Sequence, residues 1–461
     1  MIPPHHGGRA APHSAARRLC AALGLGDMTT TYDPADASYF DAGDLRREMD
    51  RVFDLCHGCR LCFNLCPSFP TLFAYVDAHD GRADAMTRAE QDEVVEQCYQ
   101  CKLCYAKCPY VPPHEWELDF PRMMMRAHAV SKREGSGLVE KLTDQALNRT
   151  DLVGRVSSAL APVANRLTGT PGSLARQFME RTAGISAARI LPPYARERFT
   201  TWFSRRSSSA TGTPSRQVSV FPTCFIEYME PGIGRDLVRV YERNGVACSL
   251  PAGTRCCGAP WLHSGDVERF RKVARRNVQA LAAEVRAGLD VIVAQPTCAY
   301  VLRKDYPIYV GTPDADLVAA HTFDPAEYLM AMHKEGALDT SFPGLGTPEV
   351  PEKVTYHLAC HLRAQMIGYK SRDLLKLSGI EVDLVQACSG IDGTWGYRAA
   401  NYELALQVAA PLMRRVEEAG NEAVCGDCHL ANGAIYEGTG RRALHPMQLV
   451  ARAYGIPEED R

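Results

Sequence analysis

The sequence lacks several features that mark common classes of protein. It has no apolar run approaching the roughly 18 to 20 residues that a membrane-spanning helix needs. It also has no Gly-x-Gly-x-x-Gly fingerprint, no P-loop and no nucleophile elbow. The formal net charge of -2 provides no general attraction for nucleic acid. An integral membrane protein and a nucleic-acid binder are therefore disfavoured, and we expect any dehydrogenase chemistry to reside on another polypeptide.

The N-terminal segment lacks the continuous apolar core of a secretory signal. We expect residues 1–40 to form a disordered extension, and Met28 is an alternative translation start. The chain contains 18 cysteines, but disulfide frameworks belong mainly to small secreted domains. The sequence therefore predicts reduced, metal-binding thiols in a cytoplasmic protein.

Two cysteine runs share one spacing: "CHGCRLCFNLCP" at 56–67 and "CYQCKLCYAKCP" at 98–109. This Cys-x2-Cys-x2-Cys-x3-Cys-Pro pattern is typical of bacterial two-cluster ferredoxins, in which the fourth thiol of each run binds the other cluster. Paired Cys-x2-Cys motifs also suit zinc, but two complete runs with closing prolines favour two 4Fe-4S clusters. The predicted ligands are Cys56, Cys59, Cys62 and Cys108 (the first ferredoxin site) and Cys98, Cys101, Cys104 and Cys66 (the second ferredoxin site).

The sequence around the two runs predicts helices. Apolar residues at helical spacing flank both runs and indicate an α-helical ferredoxin module over residues 41–130. Residues 131–217 contain no cysteine and predict a helical connector that closes on a polar linker. Its basic and aromatic residues suggest either contact with an anionic membrane or partner subunit, or an ordinary solvated helix. They are Arg176, Arg181, Arg189, Arg196, Arg198, Phe199, Trp202, Phe203, Arg205 and Arg206.

The remaining sequence contains an internal repeat over residues 218–340 and 352–456. Each copy predicts strand, helix, strand, helix, strand, with cysteines at the strand ends. Sites in open parallel α/β sheets lie beyond the carboxyl ends of the strands, so these thiols should converge. Named after the Cys-Cys-Gly motif, CCG site 1 comprises Cys224, Cys256, Cys257 and Cys298, and CCG site 2 comprises Cys360, Cys388, Cys425 and Cys428.

This repeat resembles the CCG, or cysteine-rich, domains of heterodisulfide reductase subunits. The order of two ferredoxin runs and two such repeats is similar to that of the C subunits of anaerobic glycerol-3-phosphate dehydrogenases, over roughly residues 45 to 455. The resemblance implies an iron-sulfur electron-transfer subunit and leaves the substrate open, since related subunits serve glycolate and lactate oxidation. In the heterodisulfide reductase type, a five-cysteine domain holds a noncubane iron-sulfur cluster that performs disulfide chemistry.

Both copies depart from the five-cysteine pattern. Gln295 replaces the first cysteine of the last motif in copy one, and Ser389 replaces the second cysteine of the doublet in copy two. Each CCG site therefore has four thiols, which suit a simpler iron-sulfur cluster or a structural zinc. Other nearby donors are His263, His361 and His429, for which packing is the favoured role, while Cys20 and Cys248 belong to no site.

Three functions remain open at this stage. The favoured one is an electron-transfer subunit that links a flavin dehydrogenase or another redox subunit to a quinone or another acceptor. The second is a thiol or heterodisulfide reductase with its catalytic cluster in the CCG repeats, which would make the chain an enzyme in its own right. The third is a docking module for redox partners in which zinc stabilises the CCG repeats. We expect a cytoplasmic protein, or one bound peripherally to the inner face of the cytoplasmic membrane.

Overall fold

The computed structural model describes residues 32–135, 137–206 and 216–457. Met28 and most of the predicted extension lie outside these ranges. At the start of the described chain, Ala37–Phe40 forms a short 3-10 helix with a buried Tyr39. Within the described residues the chain is largely helical, with two small parallel sheets. No helix there combines the length and apolarity needed to cross a membrane.

The two ferredoxin runs lie among helices, as the flanking sequence predicts. Side-chain caps begin several of these helices, including a capping box between Thr87 and Glu90. Met123, Met124 and Met125 are buried in the core. The α-helices are Ala42–Cys59, Ser68–Ala78, Arg88–Glu96, Leu103–Lys107 and Phe120–Glu134, with a 3-10 turn at Ala83–Ala85.

The cysteine-free segment that follows is also helical. Its α-helices are Leu138–Asn148, Thr150–Ala159, Ala161–Thr168, Leu174–Ala183 and Phe199–Arg205. Several of its basic and aromatic residues are internal: Arg176 is fully buried and donates to backbone carbonyls, and Phe199 is also fully buried. Arg189 pairs with Glu437 at 2.8 Å. These three side chains stabilise the interior and cannot form the membrane or partner surface that the sequence suggested for them.

Each CCG repeat contains a four-stranded parallel sheet, so the predicted α/β repeat is confirmed. The strands are β1 (Arg216–Val220), β2 (Val246–Ser249), β3 (Asp290–Ile292), β4 (Thr322–Phe323), β5 (Lys353–His357), β6 (Glu381–Val385), β7 (Ala423–Gly426) and β8 (Ala443–Leu444). The sheet orders, β2-β1-β3-β4 and β6-β5-β7-β8, are equivalent. The sequence predicted three strands per copy and missed β4 and β8, which have only two residues each.

Helices connect the strands of both copies. In the first copy they are Cys224–Tyr228, Pro231–Arg243, Ala259–His263, Val267–Arg286, Pro296–Tyr300, Tyr306–Val310, Pro313–Ala320 and Pro325–Lys334, with a π-helical turn at Val301–Asp305. In the second copy they are Cys360–Ala364, Lys370–Leu377, Tyr402–Ala419, His429–Thr439 and Pro446–Ala453, with 3-10 turns at Trp395–Tyr397 and Ala399–Asn401. The cysteines that open Cys224–Tyr228 and Cys360–Ala364 thus occupy equivalent positions.

The two copies share one hydrophobic core. Leu237 and Val240 from the first copy belong to the same buried cluster as Leu449 and Val450 from the second. The helices Pro231–Arg243 and Pro446–Ala453 pack against each other there. The repeats therefore bury their apolar surfaces jointly, which fixes the position of one CCG site relative to the other.

Candidate metal centres

The four thiols of the predicted first ferredoxin site line a common cavity: Cys56, Cys59, Cys62 and Cys108. The helix Ala42–Cys59 ends at Arg60 in the left-handed conformation (φ 50°), which turns the chain into the loop that carries the next cysteine. Burial raises the pKa of the Cys56 thiol, and the neighbouring Cys62 and Cys108 raise it further. A bound cation would reverse this penalty by stabilising the thiolates.

The thiols of the predicted second ferredoxin site line a separate cavity: Cys66, Cys98, Cys101 and Cys104. Gln100 and Lys102 both adopt positive φ, 53° and 63°, and these left-handed turns curve the loop around its sulfurs. Burial raises the pKa of Cys98 to about 11. The structure thus groups the ferredoxin thiols in the two sets that the pattern predicts, with one thiol exchanged between the runs.

The two ferredoxin sites differ in their access to solvent. Cys59 is exposed, and the nearby side chains of Leu61 and Phe63 are 45% and 50% exposed. In the second site, Cys98 and Cys101 are buried. The first ferredoxin site therefore lies at the surface, and the second lies toward the CCG repeats.

CCG site 1 gathers all four of its predicted thiols. Hydrogen bonding joins Cys224 to Cys256, Cys256 to Cys257, and Cys257 to Cys298. The pKa of Cys256 falls well below its usual range because the Cys224 and Cys257 thiols donate hydrogen bonds to its sulfur. Because metals bind the thiolate form, this shared hydrogen bonding prepares Cys256 as a ligand.

A helix of the connector supports CCG site 1, which the sequence did not predict. The Cys256 backbone N–H donates to Asp151 Oδ2 at 2.9 Å, and the nearby Thr150 hydroxyl helps to lower the pKa of Cys256. Burial, and then the charge of Cys256, raise the pKa of Asp151 to about 6. Both residues begin the helix Thr150–Ala159. The connector therefore forms one wall of this site.

CCG site 2 brings together only three of its four predicted thiols. Desolvation, and then the thiols Cys101, Cys428 and Cys388, raise the pKa of the half-buried Cys360. Cys425 lies instead on β7, fully buried, and Asp427 is the charged group that raises its pKa after burial itself. The structure thus places Cys425 apart from the other three cysteines.

The second ferredoxin site and CCG site 2 are in direct contact. The Tyr99 hydroxyl lies 3.3 Å from Cys388 Sγ, within hydrogen-bonding distance. The Tyr99 ring packs against Trp395 with centroids 5.2 Å apart, and Trp395 Nε1 donates to the Glu96 carbonyl at 2.7 Å. The Cys388 thiol donates to the Tyr99 hydroxyl, which itself donates to the Leu65 carbonyl at 3.3 Å. Burial and the adjacent thiols Cys388 and Cys101 raise the pKa of Tyr99, which keeps the hydroxyl protonated and able to donate to Cys388 once that sulfur is a thiolate. No recognised motif signals this tyrosine.

The two histidines closest to this junction are engaged by protein groups. His361 Nε2 lies 3.0 Å from the Gln100 carbonyl, and its Nδ1 lies 3.0 Å from Thr297 Oγ1. Burial lowers the pKa of His361 to about 4. His263 Nδ1 pairs with Asp392 Oδ2 at 3.1 Å. Both nitrogens of His361 are therefore occupied in linking the second ferredoxin loop to the two CCG copies.

The first CCG copy also reaches CCG site 2. Gln295 Nε2 donates to Cys428 Sγ across 3.5 Å. The adjacent His429 ring stacks on Phe225 of the first copy. Gln295, which stands where the pattern has a cysteine, thus acts on the other copy's sulfur as a hydrogen-bond donor.

The donor chemistry fits iron-sulfur clusters, because soft thiolates in groups of three or four are the ligands that such clusters take. Among the described residues, no three His, Cys, Asp or Glu side chains already surround one metal position. Each ligand of a cubane cluster binds a different iron. The fit of the two ferredoxin sites to such clusters therefore rests on their cavities and on their donor types, and the fit of the two CCG sites rests on their donor types.

Two family comparisons match these regions. Residues 218–303 and 354–431 match the "Cysteine-rich domain" family, and residues 49–134 match the "Citrate utilization protein B Fer4-like domain" family. The matched regions define an iron-sulfur protein that combines a ferredoxin-like region with two cysteine-rich repeats.

Relatives among characterised proteins narrow this class. The chain is 31% identical over 315 residues, 68% of its length, to the C subunit of anaerobic glycerol-3-phosphate dehydrogenase from Escherichia coli (strain K12), of which it covers 77%. It is 26% identical over 253 residues, 52% of its length, to the B subunit of fumarate reductase (CoM/CoB) from Methanothermobacter marburgensis, of which it covers 47%. It is 27% identical over 260 residues, 53% of its length, to lactate utilization protein A of Halalkalibacterium halodurans, of which it covers 98%.

The chain therefore belongs to the family of the C subunit of anaerobic glycerol-3-phosphate dehydrogenase. The predicted class, an iron-sulfur electron-transfer subunit of a multi-subunit oxidoreductase, is confirmed. The cluster types, their exact ligands and the domain boundaries stay predictions.

Proposed function

We propose that the chain relays electrons from a flavin-containing dehydrogenase partner, through two 4Fe-4S clusters, to a centre in the CCG repeats and on to a quinone or another acceptor. The observation that carries this proposal is the contact between Tyr99 and Cys388, 3.3 Å apart, which joins the second ferredoxin site to CCG site 2. Cys101 and Cys360 are also neighbours across the same junction. A continuous series of thiol sites therefore runs from the protein surface into the repeats.

The exposed edge of the first ferredoxin site is the proposed entry point for electrons. Cys59 is exposed there, beside the apolar side chains of Leu61 and Phe63. Exposed apolar side chains that are surrounded by a polar rim are typical of surfaces that dock another protein. A partner seated on this edge would bring its own redox group close to the first site without rearrangement of the chain.

The protein residues supply the binding and tuning that such a relay needs. Bound iron-sulfur clusters supply one-electron transfer, with potentials that depend on hydrogen bonds to sulfur and on solvent exposure. Gln295 donates to Cys428, and the Tyr99 hydroxyl beside Cys388 can donate to that sulfur once it is a thiolate; such donors stabilise negative charge on sulfur. The burial of Cys98 and Cys101 limits water at the second ferredoxin site.

The proposal can be tested on the full-length chain purified without oxygen. Iron, sulfide and zinc would be quantified, the protein reduced with dithionite, and its reoxidation by a water-soluble quinone followed by electron paramagnetic resonance. We expect more iron per chain than the about eight atoms that two cubane clusters contain. The signals of the reduced clusters should disappear when the protein is mixed with quinone. The Cys62→Ser variant should lose the first-site signal and retain quinone reactivity.

Two outcomes would contradict the relay. Zinc in place of the additional iron would favour a docking module with zinc-stabilised repeats. A reduced protein that reacts with a disulfide substrate and not with quinone would favour the reductase alternative. The Cys248→Ser variant is a matched control, since Cys248 lies outside all four predicted sites.

We further propose that the chain docks at an anionic membrane surface through the connector helices. Exposed apolar side chains recur along these helices, and two of them, Leu174 and Phe178, are 84% and 66% exposed. This apolar patch comprises Leu138, Val139, Leu142, Leu152, Val156, Leu160, Val163, Leu167, Leu174 and Phe178. Apolar side chains exposed on helices that pack against one another are typical of an interaction surface.

The charges around this patch favour an anionic surface such as lipid headgroups. Within residues 137–183, one acidic side chain is exposed, Glu140. The exposed basic side chains are Lys141, Arg149, Arg155, Arg166 and Arg181. Helices with an apolar face and basic flanks bind at the headgroup boundary of a bilayer.

Vesicle binding tests this surface. The chain should co-sediment with vesicles that contain phosphatidylglycerol, less with pure phosphatidylcholine, and less at high salt. Leu174→Glu combined with Phe178→Glu should abolish binding, whereas Met366→Glu, at a 71% exposed apolar side chain outside the patch, should leave it unchanged. Equal binding by both variants would exclude this patch as the membrane surface.

A further inference from the structure

The two CCG copies contain equal numbers of predicted thiols at different positions of the motif. Copy one has Cys256-Cys257-Gly258, and copy two has Cys388-Ser389-Gly390. The glycine of each motif adopts positive φ, 92° at Gly258 and 64° at Gly390. The backbone therefore makes a left-handed turn at the same motif position in both copies, and Ser389 occupies the position that Cys257 has in copy one.

Cys257 belongs to the thiol group of CCG site 1. It is hydrogen-bonded to both Cys256 and Cys298. The counterparts of Cys256 and Cys298 in copy two are Cys388 and Cys428, which are both neighbours of Cys360. Copy two therefore has cysteines at three of the four positions that form CCG site 1 in copy one, and it has Ser389 at the fourth.

Cys425 occupies a different position from these residues. It lies on β7, in register with Tyr356 on the adjacent strand β5, and it is fully buried in the core shared by the copies. Its counterpart in copy one is Gln295, which lies outside the thiol group of CCG site 1 and faces Cys428 of the other copy. The first position of the last motif is therefore outside the gathered thiols in both copies.

Ser389 is suited to the fourth position in polarity as well as in location. Ser389 is 8% exposed, and none of the hydrogen bonds among the described residues involves its hydroxyl. The hydroxyl oxygen is not among the fully buried side-chain atoms that lack a partner. It could therefore bind a metal without breaking a hydrogen bond to another protein group.

We infer that Ser389, and not Cys425, completes the donor set of CCG site 2, together with Cys360, Cys388 and Cys428. This inference rests on the proposed presence of a metal centre in the CCG repeats. The resulting set has three soft thiolates and one harder oxygen donor, whereas CCG site 1 has four thiolates. Since ligand identity influences the electronic properties of a centre, the two CCG centres should differ spectroscopically.

Three variants of the full-length chain, purified without oxygen, separate the two candidate ligands. Ser389→Ala should lower the total iron plus zinc per chain or change the spectrum of one centre. Ser389→Cys should restore the metal content and shift that centre's electron paramagnetic resonance signal. Cys425→Ala, the matched control, should keep both the wild-type metal content and the wild-type spectrum.

The opposite pattern would overturn the inference: loss of metal or a changed spectrum in Cys425→Ala, or an unchanged Ser389→Ala. The ferredoxin-site signals, retained in each variant, report that the chain has folded. Total metal is the readout because it distinguishes two failures. If the wild type holds zinc in the CCG repeats, the proposed relay fails, yet the zinc count still identifies the donor at CCG site 2.

Discussion

The two CCG sites come from one repeat and have different surroundings. In CCG site 1, each of the four thiols neighbours at least one of the others, and Asp151 of the connector accepts the backbone N–H of Cys256 at 2.9 Å. In CCG site 2, three thiols are neighbours, and the contact at Cys388 comes from Tyr99 of the ferredoxin region. The same fold thus presents one site to the connector and the other to the electron relay.

This difference shows that position in the molecule, and not the local motif, assigns a role to each copy. Sheet order is equivalent in the two copies, so the strands deliver their cysteines in the same way. The differences arise from the segments that cover the sheet ends. We therefore expect CCG site 1 to be the more firmly held centre and CCG site 2 the one in rapid exchange with the ferredoxin sites.

The largest effect is expected from removing the central thiol of CCG site 1. In Cys256→Ser the sulfur with the strongly lowered pKa is lost, and its two hydrogen-bonding neighbours lose their common acceptor. We expect complete loss of the metal held at this site, measured as iron, sulfide and zinc per chain. The Cys248→Ser variant is the control and should keep the wild-type metal content. If Cys256→Ser retained the wild-type content, CCG site 1 would not be a metal centre.

A smaller effect is expected at the connector wall of the same site. Asp151→Ala leaves the backbone N–H of the buried Cys256 without its acceptor, which should cost about 1–3 kcal/mol. We expect CCG site 1 to release metal to a chelator several-fold faster, while the second ferredoxin site is unaffected. Asp54→Ala, at an exposed carboxylate, is the control. Equal rates of metal release from the two variants would show that the connector does not stabilise CCG site 1.

The next effect concerns the junction at CCG site 2. Tyr99→Phe keeps the ring that packs on Trp395 and removes the hydroxyl near Cys388. With Cys388 bound as a thiolate, the hydroxyl can donate to its sulfur instead of to the Leu65 carbonyl. Its removal should therefore lower the reduction potential of the centre held there, because the more negative reduced state loses stabilisation. Potentiometric titration followed by electron paramagnetic resonance measures this shift. Tyr110→Phe, near Cys59, should alter the first ferredoxin site only.

The smallest effect is expected from the donor that crosses between the copies. Gln295→Leu removes the amide N–H that reaches Cys428 at a long distance, 3.5 Å. We expect a shift in the same direction as in Tyr99→Phe and a stability loss of about 1 kcal/mol or less. Comparison of the titration curves of the two variants checks the order. A larger shift from Gln295→Leu would make the inter-copy contact the dominant influence on CCG site 2.

Sequence spacing was sufficient to predict the sites whose cysteines lie close together in the sequence. The two ferredoxin runs determine which thiols can share a loop, and the observed cavities group the same cysteines. The α/β repeat was also recognisable, because strands ending in cysteines recur at similar intervals. The strands β4 and β8 were missed because two residues carry no periodicity.

Long-range contacts were not predictable from the pattern. Asp151 and Tyr99 act on cysteines 105 and 289 residues away; Asp151 lies outside every motif, and Tyr99 occupies a variable position within the second ferredoxin run. Arg176 shows the converse: a charged residue predicted at a surface is fully buried, where three backbone carbonyls accept hydrogen bonds from its two terminal guanidinium nitrogens. Cys425 was placed with its motif neighbours, although its position on β7 directs it into the shared core.

That shared core has a consequence for how the protein matures. Apolar residues of both repeats form one buried cluster, and the helix Pro446–Ala453, near the C-terminal end of the described chain, completes it. Cys428 of CCG site 2 belongs to this cluster, whereas Cys256, Cys257 and Cys298 of CCG site 1 belong to a separate cluster that needs no residue beyond Val318. We therefore expect CCG site 2 to stay accessible to cluster-assembly factors until the helix Pro446–Ala453 has been made, and CCG site 1 to close earlier in translation.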